Sequence, residues 1–143
     1  MPPSSSSIRE TNDWVRKADS DLATAKLIFA AKHLAEWHQV LFHCQQSVEK
    51  MMKALLTFHE EKFRRTHDLV ELGTQCEEKE PSLAESIAAV AELSDYAWEF
   101  RYPGEMDEPS EDQAKLALAL AEKFSADAKS LLPTEAAAAT KSI

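Results

Sequence analysis

The chain has 143 residues, 44% hydrophobic and 29% charged, which is enough for one domain with a core, and only 2 Gly and 6 Pro for the tight turns that hairpins need. A formal net charge of −9, from 16 basic and 25 acidic residues, argues against broad nonspecific binding to nucleic acid or anionic membrane, though not against a local basic pocket. No apolar run approaches the roughly 18 residues of a membrane span. The opening MPPSSSS lacks the basic and apolar regions of a secretory signal. Cys44 and Cys76 show no CxxC or finger spacing, so they read as reduced thiols and the chain as cytoplasmic.

Residues 1 to 10 are Pro/Ser-rich and aperiodic, and read as a disordered lead-in. A first helix is expected over residues 13 to 31, capped by Thr11, Asn12 or Asp13, with Trp14, Ala18, Leu22, Ala25 and Phe29 along one face. A second, the longest, is expected over residues 35 to 60. Its stripe Trp37, Leu41, Cys44, Val48, Met51, Leu55 and Phe58 recurs at intervals of four and three and is buried on any helical reading.

The neighbouring stripe of that helix is the informative one. It reads His38, Phe42, Gln45, Glu49, Met52, Leu56, His59, with an amide and a carboxylate between apolar residues. Burying them costs free energy unless they are partnered. A third stripe carries His43, Gln46, Lys50 and Lys53, so a mixed amide, carboxylate and lysine surface awaits a partner.

The basic connector KFRR (62 to 65) leads to Thr66, a candidate N-cap for a short helix that ends near Leu72, before Gly73. Lys50, Lys53, Arg64 and Arg65 give this region a cationic excess. The free N–H groups after a Thr66 cap would add an anion site. Pro81 suits the start of a fourth helix, with Leu83, Ile87, Val90, Ala91, Ser94, Ala97 and Trp98 inward, until Pro103-Gly104 stops it. Ser110 and Gln113 form a capping box opening a fifth, with Leu116, Leu120, Phe124, Ala128 and Leu131 on its apolar side. Residues 133 to 143 read as a flexible tail. The expected fold is all-α: an up-and-down bundle of about five helices, with the long second helix and the fourth at its centre, over residues 11 to 132.

Three islands stand out in order: His43-Cys44-Gln45-Gln46-Ser47-Val48-Glu49-Lys50 running on to Lys53-Ala54-Leu55, then Thr66-His67-Asp68-Leu69, then Arg101-Tyr102-Pro103. With Trp14, Ala18, Asp21-Leu22 and Ala25 they resemble the HEPN family (higher eukaryotes and prokaryotes nucleotide-binding domain) over residues 12 to 131. Its pattern reads roughly QQxxEKxxKAxL, THxL, RYP. The resemblance implies a helical bundle that homodimerises, binds nucleotide or RNA, and accompanies a minimal nucleotidyltransferase, in the manner of a toxin-antitoxin pair. It implies a ligand site built from Gln45, Gln46, Glu49, Lys50, Lys53, Arg65, His67, Arg101 and Tyr102. Many members of the wider superfamily are RNases in which a histidine follows an arginine by about four to six residues. Here Arg101 has no histidine in that window. A metal-independent RNase would therefore have to draw His67 from elsewhere in the fold as partner to Arg101, and no catalytic residue is assigned. On the residues alone, Glu49 and Arg101 could equally form a structural ion pair locking two helices in register. No metal site or cofactor is expected, since no HxxxH pairing, Gly-rich phosphate loop or nucleophile elbow is present.

Overall fold

A computed structural model of the chain describes residues 2–96 and 108–133. Among them are five α-helices and no strand: α1 (Ser5–Ala30), α2 (Trp37–Phe58), α3 (Leu69–Lys79), α4 (Ala84–Val90) and α5 (Glu111–Lys129). The all-α bundle expected from periodicity is the observed architecture. Short links make successive long helices antiparallel neighbours, and α2 packs against α1, α3 and α5 at once. It is the axis of the fold. Val40, Leu41, Cys44, Val48, Met51, Met52, Ala54, Leu55 and Leu56 are all buried along it, because apolar residues recur on more than one of its stripes.

Several expectations are corrected. Helix α1 begins at Ser5, not near Asp13: Ser4 is the N-cap, its hydroxyl accepting from the Ser7 N–H. Most of the stretch read as a disordered lead-in is thus the first turns of a helix. That end is tied down, since the Ser7 hydroxyl donates to Glu60 at 2.7 Å and the Ser4 hydroxyl to the same oxygen at 3.3 Å. These bonds hold the Glu60 carboxyl below its ordinary range, the Ser7 bond contributing most. Glu60 sits at φ 55°, the left-handed position that stops α2, with Glu60 N–H bonded to Thr57 O and Glu61 N–H to Leu56 O.

Helix α3 is capped by Asp68, not Thr66, and runs through Gly73 to Lys79. Gly73 is there for proximity: a Cβ on it would stand 2.6 Å from Ile87 Cγ2 of α4. We expect Gly73→Ala to destabilise the protein by about 1–2 kcal/mol despite alanine's better helix propensity, because a β-branched side chain has little freedom to yield. Urea unfolding checks this; a neutral or stabilising substitution would contradict the close packing.

The fourth helical region is broken within the described residues. A 3₁₀ turn (Pro81–Leu83) leads into α4, and a second 3₁₀ stretch (Ala91–Tyr96) follows it. Leu83, Ile87, Val90 and Leu93 point inward. Ala97 and Trp98, also expected inward, lie outside the described residues, as does the tail from 134. The Ser110–Gln113 capping box is present in both directions, at 2.8 and 3.1 Å. The inward face of α5, however, is Ala114, Ala117, Leu118, Ala121, Phe124 and Ala128, so small residues let α5 approach α2 closely. Leu116, expected inward, is 60% exposed.

Candidate functional site

The polar interruption of α2 is buried. Gln45 is 0% and Glu49 3% exposed, and both are fully engaged. One Glu49 oxygen accepts from Gln45 Nε2 at 3.1 Å and from His67 Nδ1 at 2.8 Å, the other from Lys53 Nζ at 2.9 Å. Gln45 Nε2 also donates to the His67 carbonyl at 3.0 Å, while Gln46 Nε2 donates to Gln45 Oε1 at 2.7 Å. Three donors on one carboxylate offset its desolvation, which is how a charge survives against the core. Lys53, itself buried, lies 5.5 Å from the Trp14 ring centroid, a cation–π contact that ties the network to α1.

The network reaches the surface at His67, whose side chain is 49% exposed. The contact from its Nδ1 to Glu49 holds the His67 ring in one orientation. It stands at the end of the connector that α2's left-handed stop launches. On that connector Phe63 packs edge-on to Trp14, with ring centroids 6.4 Å apart. Lys62, Phe63, Arg64, Glu71 and Gln75 line an open depression of ≈ 460 Å³.

The anion site expected at the start of α3 is not available. Asp68 Oδ1 takes the Val70 and Glu71 N–H groups at 2.9 and 3.4 Å, and Ser94 Oγ takes that of Leu69 at 2.7 Å. Thr66, whose hydroxyl accepts from Asp68 N–H, supports the turn rather than capping the helix. Nor is the connector uniformly cationic. Arg64 forks onto Glu71 at 2.6 and 3.1 Å, a pairing that lowers the Glu71 pKa chiefly through those bonds, and Glu61 pairs with Lys79. Lys62 and Arg65 are exposed and have no ion-pair partner among the described residues.

Lys50 belongs to a second cluster. Its ammonium and His43 Nδ1 share the two oxygens of Asp21 on α1, the imidazole at 3.0 Å. This pairing joins two helices and so is not visible in the periodicity of α2, although Asp21 lies seven residues after Trp14, on the same flank of α1. Of the nine residues expected at the site, Gln45, Gln46, Glu49, Lys53 and His67 are thus joined in one network, Lys50 stands in the neighbouring cluster, and Arg65 lies on the connector. Arg101 and Tyr102 lie outside the described residues. Cys44 and Cys76 are buried, which pushes both thiols up to about 12 and makes them inert at neutral pH. Among the described residues no group of His, Cys, Asp and Glu could hold a metal ion, and no helix is long and apolar enough to cross a membrane.

Compared with known proteins, residues 11–131 match the family model described as the HEPN domain. No curated protein and no solved structure matches the chain.

Proposed function

The chain belongs to the HEPN domain family of nucleotide- and RNA-related modules, whose members commonly dimerise, and from that premise we propose that it binds the phosphates of RNA on the surface where the α2 network meets the connector. In this reading Lys62 and Arg65 contact the phosphates, and His67, held by Glu49, contacts phosphate or base. The protein acts as a cytoplasmic homodimer beside a minimal nucleotidyltransferase, as one half of a toxin-antitoxin-like pair. The carrying observation is a carboxylate 3% exposed that fixes a half-exposed imidazole at the end of a connector bearing two exposed cations, Lys62 and Arg65, that have no ion-pair partner among the described residues. Arginine and lysine with no acid to neutralise them are what a phosphate contact needs.

Fluorescence anisotropy with labelled single-stranded RNA tests this, with mononucleotides as competitors. The double substitution Lys62→Ala, Arg65→Ala should weaken binding at least about tenfold and flatten the salt dependence by roughly two phosphate contacts. RNA binding that is absent, or indifferent to both substitutions, sinks the proposal.

The Glu49–His67 contact favours a second reading, a metal-independent RNase in which His67 serves as acid or base and Arg101 as the cation on the scissile phosphate. Against it stands the missing Arg-to-His spacing. Wild-type protein that leaves the same RNAs intact on a gel would remove it.

A further inference from the structure

Helix α5 is apolar on two faces. Its core face is alanine-rich, with Leu118 and Phe124, while the exposed Leu116 and the half-buried Leu120 line a groove with the 3₁₀ stretch (Ala91–Tyr96). The groove is ≈ 140 Å³, and its walls are Leu93, Tyr96, Leu116, Ala117 and Leu120, with Leu41 of α2 among its lining. That is room for one large apolar side chain. Glu92 lines the groove; Asp95, three residues on along the 3₁₀ stretch, shares its side of that turn, and Asp112, four residues before Leu116, shares that leucine's face of α5. None of these three acids has an ion-pair partner among the described residues, whereas Lys123 nearby is already held by Asp127.

We infer that this groove docks a protein partner through a basic helix or peptide that inserts one aliphatic or aromatic anchor and sets lysines or arginines against Glu92, Asp95 and Asp112. Leu116, 60% exposed, and the half-buried Leu120 present apolar surface at this groove. The acid rim chooses the occupant. An isologous dimer through this face would bring the same three acids of two copies together, a like-charge arrangement that association avoids. A cationic partner is instead attracted and oriented. The groove shares no residue with the α2 network, so this inference stands apart from the RNA reading.

The test uses the full chain and a fluorescein-labelled amphipathic Leu/Lys helical peptide, with the same peptide carrying alanine for leucine as the charge-only control. The Leu/Lys peptide should bind, and the alanine version much less well. Leu116→Ser should weaken binding about tenfold, as expected for loss of a buried aliphatic contact. The pair Glu92→Gln, Asp112→Asn should also weaken it, and Glu77→Gln, Glu78→Gln on α3 should leave it unchanged. Equal binding of both peptides, or indifference to Leu116→Ser, overturns the docking site. So does a fall in unfolding midpoint with Leu116→Ser, since it would mean that this leucine is already packed within the chain.

Discussion

Glu49→Ala is expected to destabilise the protein by about 3 kcal/mol, because it removes the only acid held by Lys53 among the described residues and leaves that ammonium buried. The melting temperature should fall by about 10 °C for a domain of this size. The cost does not come from the bare Coulomb attraction, which replacement of both partners by apolar residues could largely recover. It comes from stranding the groups that Glu49 satisfies: Lys53 Nζ, the His67 ring and one hydrogen of the Gln45 amide. Glu49→Gln keeps the shape and one acceptor, and should cost less, about 1–2 kcal/mol. Lys53→Met should also cost less than Glu49→Ala, since the carboxylate would retain two of its three donors. Urea unfolding of the three variants gives the order. If Glu49→Ala proved nearly neutral, the network would be a surface ion pair in energetic terms, and its role in fixing His67 would lose its basis.

That a polar centre exists was legible in α2 alone, since an amide and a carboxylate on an otherwise apolar stripe must be satisfied. Its composition was legible only in part. Lys53 lies four residues after Glu49, an ordinary helical pairing distance that periodicity could have supplied. His67 could not be found that way, because the left-handed turn at Glu60 decides where the connector goes. The partner expected instead, Arg101, lies outside the described residues.

The fold was readable where local and tertiary demands agree, as in the apolar stripe of α2 and the capping box of α5. The errors fall where one residue type has two uses. Gly73 has the form of a helix terminator, yet it is in mid-helix because Ile87 leaves no room for a Cβ. A serine run suggests disorder by composition, yet Ser4 caps α1 and Ser7 anchors it to Glu60, a contact between residues far apart in sequence. On α5 a hydrophobicity scale prefers Leu116 to Ala114, Ala117 and Ala121 for the inside, yet those alanines are buried and Leu116 is 60% exposed. Close approach to α2 reversed that choice.

Phe124→Ala should be among the most destabilising substitutions in the chain, at about 3–5 kcal/mol. The core face of α5 is lined chiefly by Ala114, Ala117, Ala121 and Ala128, each with little area to contribute. Phe124, 1% exposed, therefore supplies a large share of what docks α5 onto α2, and the alanines around it cannot move in to fill the space it leaves. Leu116→Ser on the opposite side of the same helix should change stability by no more than about 0.5 kcal/mol, although leucine is the more hydrophobic loss by composition alone. Urea midpoints for the two variants, measured together, separate the faces directly. A cost below about 1.5 kcal/mol for Phe124→Ala would mean that α5 is held mainly by something other than its alanine-lined face. The division of that helix into a packing side and the exposed side that carries Leu116 would then fall.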